Sequence, residues 1–140
     1  MAILRKSALL PGVRNGDSER ERLFFQLQLA RDVARARPKF AQGLMLYGNL
    51  LTEAGRHAEA LASDRKLVEV DPVDPAAWYN LACSLSLTGQ SEEALDTLEH
   101  ALDLGFDDGA LMERDKDLDP LRELPRFRQL LARVQGEKHD

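Results

Sequence analysis

Cysteine occurs once in this 140-residue chain, at Cys83, so no disulfide can form within it and a reducing compartment fits. Aromatic residues are scarce at 6%, and no strand pattern of alternating apolar and polar residues is evident. No apolar run exceeds a few residues, far short of the roughly 20 that a membrane-spanning helix needs. The opening stretch, MAILRKSALLPGV, carries Arg5 and Lys6 inside its apolar patch, which argues against the uninterrupted apolar region of a secretory signal. These absences lead to the expectation of a cytoplasmic protein with no membrane insertion.

Chemistry-bearing groupings are missing as well. His57, His100 and His139 stand far apart, with no second His or Cys at metal-ligand spacing, and read as solvated surface residues. Cys83 has no His three or four residues away, which suits a small buried or groove-lining residue rather than a nucleophile. The carboxylates of Asp107, Asp108, Asp115, Asp117 and Asp119 lack the Gly and closing Glu of a calcium loop. No strand leads into a Gly-rich phosphate loop. The sequence therefore predicts no enzyme, no metal and no cofactor.

What is present is ordinary for one folded domain: 44% hydrophobic and 31% charged residues, with Ala and Leu abundant. Charge is uneven. Residues 1–40 carry nine Lys/Arg against four Asp/Glu, residues 41–119 five against seventeen, and residues 120–140 five against three. An acidic middle repels phosphate backbones, so nucleic acid is not expected as a partner.

A repeat organises the middle. Residues 41–74 read AQGLMLYGNLLTEAGRHAEALASDRKLVEVDPVD, and residues 75–108 read PAAWYNLACSLSLTGQSEEALDTLEHALDLGFDD. The two blocks are of equal length with no gap. Leu44 falls on Trp78, Tyr47 on Leu81, Gly48 on Ala82, Leu51 on Leu85, Gly55 on Gly89 and Ala60 on Ala94. Apolar residues at three- to four-residue spacing run up to each Gly and resume after it, so each block predicts two amphipathic helices around a tight turn. Gly55 and Gly89 suit a residue just past a helix end. Small residues at Gly48, Ala60, Ala82 and Ala94 permit close helix approach. Pro72 and Pro75 bracket the junction between blocks. Such hairpins bury their apolar faces only by stacking.

On these residues the blocks resemble tetratricopeptide repeats, whose period is 34 residues. The second block matches through Trp78, Leu81, Ala82, Leu85, Gly89, Ala94, Leu98 and Ala101, with Phe106 in place of the usual late Pro. The first departs at Asp64, where the family prefers a large apolar residue; an unpartnered Asp there would cost about 1–3 kcal/mol, so it is expected half exposed or hydrogen-bonded to a neighbouring helix. Residues 115–131, DKDLDPLRELPRFRQLL, resemble a motif that follows bacterial repeat arrays, with Leu118, Leu121, Phe127 and Leu130 expected to cover the last apolar face.

The resemblance implies an all-α fold, a short right-handed α-solenoid of helical hairpins with capping helices at both ends. The expected organisation is a flexible segment at 1–16 and one domain at 17–140. That domain comprises a capping helix at 18–36, repeats at 41–74 and 75–108, and a C-terminal cap at 109–135. Ser18 and Glu21 form a capping box at the start of the first helix. Within the cap, a short helix near 109–115, a turn near 119–123 opened by Pro120, and a helix near 125–135 opened by Pro125 are expected.

By the family's geometry the first helix of each unit lines a concave groove. That assigns Gln42, Met45, Leu46, Asn49, Thr52 and Glu53, then Ala76, Tyr79, Asn80, Cys83, Ser86 and Leu87, then Ala110, Glu113 and Arg114 to the groove. Of these, Met45, Asn49, Glu53, Tyr79, Asn80, Cys83, Leu87 and Arg114 are expected to bind a peptide. Some relatives grip a C-terminal carboxylate with two Asn and three basic residues. Asn49, Asn80 and Arg114 match that set, while Met45 and Ala110 hold the other two positions, so the clamp is incomplete. The reading is a non-catalytic adaptor, a monomer or weak homo-oligomer, that binds a protein or peptide partner in its groove. Its alternative is a structural subunit that assembles through its convex or terminal surface, with Ile3, Leu4, Leu9 and Leu10 as a docking arm.

Overall fold

The computed structural model describes residues 15–139, and all of its regular structure is helical. The arm residues Ile3, Leu4, Leu9 and Leu10 lie outside the described residues. The helices are α1 (Asn15–Ala36), α2 (Ala41–Glu53), α3 (His57–Val70), α4 (Pro75–Leu87), α5 (Ser91–Asp103), α6 (Gly109–Arg114) and α7 (Pro125–His139), with a 3-10 helix at Lys116–Leu121 between the last two. Asn15 and Gly16, the end of the segment expected to be flexible, open α1. Ser18 and Glu21 thus lie within the helix rather than at its cap. Asp17 in the first turn favours the helix dipole there.

Two hairpins form the centre, α2 with α3 and α4 with α5. Their turns need left-handed backbone at Gly55 (φ 77°) and Gly89 (φ 80°), which glycine adopts at little cost. Ala60 and Ala94 are fully buried where the helices of each pair touch. Trp78 anchors the second hairpin: its indole Nε1 donates to the Pro72 carbonyl at 2.8 Å, and its ring meets His100 edge-on at 4.4 Å. Asp74 opens α4 by accepting from the Ala76 amide at 2.9 Å.

Gly48 is small for a reason particular to this chain. A Cβ there would lie 2.6 Å from Asp64 Oδ1. Asp64 is 2% exposed, and Ser84 on α4 donates its hydroxyl to Asp64 Oδ2 at 2.6 Å. The departure from an apolar residue at this position is therefore answered by a bond to the neighbouring helix, the second of the two outcomes expected for it.

The C-terminal segment keeps the repeat period. Ala41, Pro75 and Gly109 open the first helices of three units, and His57, Ser91 and Pro125 open the second helices, at equal spacing. Only the third unit's first helix is broken. A continuous helix through Pro120 would lack one amide donor and press the proline ring on the carbonyl four residues earlier. The helix instead stops at Arg114, and Asp115 caps a new turn by accepting from the Asp117 amide at 3.0 Å. Pro120 consequently sits inside that 3-10 helix, and the turn begins at Lys116 rather than near 119. Pro125 does open the last helix, as its sequence position suggests.

Burial follows from this docking. Met112, Leu118 and Leu121 are fully buried, and Phe127, Leu130 and Val134 nearly so, in one core with Leu85, Leu98 and Ala101. On the outer side, Arg126 pairs with Asp96 (2.7 Å) and Glu99 (2.9 Å), and Arg133 with Asp103 (2.9 Å). Such exposed pairs contribute little energy, about 0–1 kcal/mol each, but they fix how α7 lies along α5.

Candidate binding groove

The first helices of the units, α2 and α4, face an open pocket of about 270 Å³ with the Asp115–Asp117 segment on its far side. Asn49 and Thr52 come from α2, Ala76, Tyr79, Asn80, Cys83 and Ser84 from α4, and Phe106, Leu111, Asp115 and Asp117 from the third unit's approach. Asp64 reaches the pocket from α3. The helical spacing of Ala76, Tyr79, Asn80 and Cys83 puts them on one face.

This geometry sorts the residues assigned from the sequence. Asn49, Tyr79, Asn80 and Cys83 are brought together at the pocket. Met45 is partly buried against the core, and Leu87 is half-buried at the end of α4. Glu53 lines a separate depression with Arg20, Leu23 and Gln26 beside α1, and Arg114 is exposed at the end of α6, outside the pocket lining. Ser86 is covered: it is 1% exposed and donates to the Asp117 carbonyl at 2.8 Å, holding the third unit down on α4.

Tyr79 and Cys83 are themselves nearly sealed by that unit. The Tyr79 ring stacks on Phe106 at 4.3 Å and 7°, and its hydroxyl donates to Asp115 Oδ2 at 2.7 Å. Cys83 Sγ lies 3.9 Å from the same oxygen. Burial, with the negative charges nearby, pushes both the Tyr79 phenol and the Cys83 thiol up, so neither ionises at neutral pH. Cys83 is thus a protonated thiol, unsuited to attack. Burial also raises Asp117, reinforced by Asp115 and opposed by His57. Asp64 is pushed up to about 6 by burial, against the opposing Ser84 bond.

Asp115, Asp117, Phe106 and Leu111 were not among the residues assigned to the groove. Carrying the intact helical register past Arg114 hides them, since the break at Asp115 swings the chain across α4. The signal was there in the Asp-x-Asp spacing ahead of Pro120, which favours a side chain-capped turn.

Stacked helical hairpins whose first helices face one pocket define a helical-repeat fold. Residues 65–96 match the tetratricopeptide repeat family. A TPR repeat-containing protein of Picosynechococcus sp. is 39% identical over 67 residues, 48% of this chain and 17% of that protein. The match thus covers only about a sixth of the relative's length. Among solved structures, MamA superposes with a TM-score of 0.66 at 18% identity, over 89% of this chain and 76% of that one. An O-GlcNAc transferase of Thermobaculum terrenum gives 0.65 at 29% identity, over 89% of this chain and 24% of that one. Residues 65–96 thus carry a tetratricopeptide repeat, and the chain is similar to tetratricopeptide-repeat proteins.

Proposed function

We propose that this chain is a non-catalytic adaptor that takes an extended segment of a protein partner across its concave face. One observation carries the reading. Asn49 and Asn80, from successive first helices, stand at the same pocket, and neither side-chain amide is bonded within the described residues. Each can both donate to and accept from an extended backbone, the pairing that lets a groove bind main chain with little regard to sequence. Met45, Glu53 and Leu87 flank the path, and Arg114 is a peripheral contact rather than part of a carboxylate clamp. No helix among the described residues is long and apolar enough to cross a membrane, and a reduced, free Cys83 suits the cytoplasm.

The test is selection of 12-residue peptides from a display library on the full chain, followed by calorimetry. Asn49→Ala and Asn80→Ala should each weaken the selected peptides by about 1 kcal/mol. Peptides that bind both variants like the parent would place the binding surface elsewhere.

A second reading has its own support. Phe24, Phe25 and Leu29 on α1 are 60%, 69% and 59% exposed. Phe25 and Leu29 lie one turn apart, on the face opposite buried Leu27, Ala30 and Ala34. That apolar stripe suits assembly through the N-terminal end of the stack. Light scattering decides: a full chain that stays monomeric at high concentration removes this reading, and a dimer dispersed by Phe25→Asp supports it.

A further inference from the structure

We propose that the pocket between α4 and the third unit takes one cationic side chain, Lys or Arg, of the bound segment. The inference rests on the groove reading and adds the chemistry of the residue that fits there.

Three carboxylates, of Asp64, Asp115 and Asp117, face the pocket, and its lining includes no Lys or Arg. None of the three is in an ion pair within the described residues, although the chain pairs many of its other acids: Glu59 with Arg56, Glu93 with Arg65, Asp96 and Glu99 with Arg126, and Asp119 with Arg122. Asp115 Oδ2 accepts from the Tyr79 hydroxyl and the Cys83 thiol, and Oδ1 from the Asp117 amide, which leaves acceptor capacity on Oδ1. The Asp117 carboxylate accepts no hydrogen bond within the described residues. Asp115 and Asp117 repel each other, offset in part by His57 near Asp117 and by Arg122, which bonds the Asp115 carbonyl rather than its carboxylate. An incoming cation relieves that cost while gaining charge-assisted hydrogen bonds.

The remaining walls fit the rest of such a side chain. Phe106, stacked on Tyr79, and Leu111 offer apolar surface to a methylene stem, and a half-buried aromatic face also attracts a cation. About 270 Å³ accommodates a single long side chain rather than a drug-sized ligand. The acidic balance of residues 41–119 steers a basic segment toward this face.

A metal ion is the competing occupant, because ligand atoms of Cys83, Asp115 and Asp117 lie within 4.8 Å of one another. The three-ligand set would require the Cys83 thiolate, and burial together with the nearby carboxylates holds the proton on that thiol. The cation of a side chain demands no deprotonation.

Amide NMR spectra of the full chain, titrated with Nα-acetyl-arginine amide, its neutral isostere Nα-acetyl-citrulline amide, and zinc chloride, test this. The arginine compound should shift the Asn80, Cys83 and Asp117 amides saturably, and the citrulline compound should not. Asp117→Asn should weaken the response roughly tenfold or more. Asp115→Asn, which keeps a capping side chain at the turn, should weaken it in the same way. Glu92→Gln, at the exposed start of α5, should leave it unchanged. Equal shifts from arginine and citrulline, an unaffected Asp117→Asn, or a response to zinc alone would each overturn the proposal. Library peptides that lack Lys and Arg yet lose affinity on Asn80→Ala would remove the cation pocket and leave the groove standing. Peptides indifferent to Asn80→Ala would remove the groove itself.

Discussion

Asp64→Asn should make the protein's stability less dependent on pH, and the size of the effect follows from one buried group. Asp64 is 2% exposed, and its only hydrogen-bond donor among the described residues is Ser84, at 2.6 Å. Burial raises its pKa from the ordinary 3.8 to about 6. A raised native pKa means that the folded state binds the proton more tightly than the unfolded chain between those two values. Stability from this group is therefore full below about pH 4, falls as pH rises through about 6, and is flat above that. A shift of roughly two units corresponds to roughly 3 kcal/mol. The asparagine variant retains an acceptor for the Ser84 hydroxyl and cannot ionise. Urea melts of both proteins across this range isolate the group, because every other carboxylate cancels in the difference. Near pH 4 the two should be of similar stability, and by neutral pH the variant should have gained up to roughly 3 kcal/mol on the parent. A difference that stays constant across the range would refute the burial argument, as would a carboxyl titration midpoint near 4 in the carbon NMR signal of Asp64.

Gly48→Ala should destabilise the parent although alanine normally favours a helix interior by about 1 kcal/mol, because the new Cβ would sit 2.6 Å from Asp64 Oδ1. In an Asp64→Ala background the same change should be neutral or stabilising, a coupling of about 1 kcal/mol or more in a double-mutant cycle of urea melts. Phe127, 1% exposed, should lower stability by about 3–5 kcal/mol when cut to alanine; a melt unchanged by Phe127→Ala would mean that the third unit is not part of the cooperative core.

The hairpins were legible because a 34-residue period repeats small residues, turn glycines and apolar spacing at matched positions, a signal that one local error cannot erase. Buried Ala60, Ala94, Leu98 and Ala101 and the left-handed Gly55 and Gly89 follow from it directly. The third unit was harder to read, since the pattern places its helix starts but not its break. Pro120 excludes a continuous helix without saying whether the chain restarts before it or at it, and the Asp115 side chain decides in favour of before. The groove inherited that uncertainty. Asn49, Tyr79, Asn80 and Cys83 stand on unbroken helices, so register alone brings them together. Asp115 and Asp117 reach the pocket only through the capped turn, and Ser86 is covered for the same reason. The exposure of Phe25 and Leu29 was also hidden, because an apolar residue on a helix does not announce whether anything lies against it.

The central claim is that the concave face between α2, α4 and the third unit binds a partner segment. Its most direct test is an amide NMR map of the full chain with a library-selected peptide. The account predicts that the largest shifts cluster at Asn49, Asn80 and Asp117 while Phe25 and Leu29 on α1 stay still. Shifts confined to α1, with the Asn49, Asn80 and Asp117 amides unmoved, would contradict it.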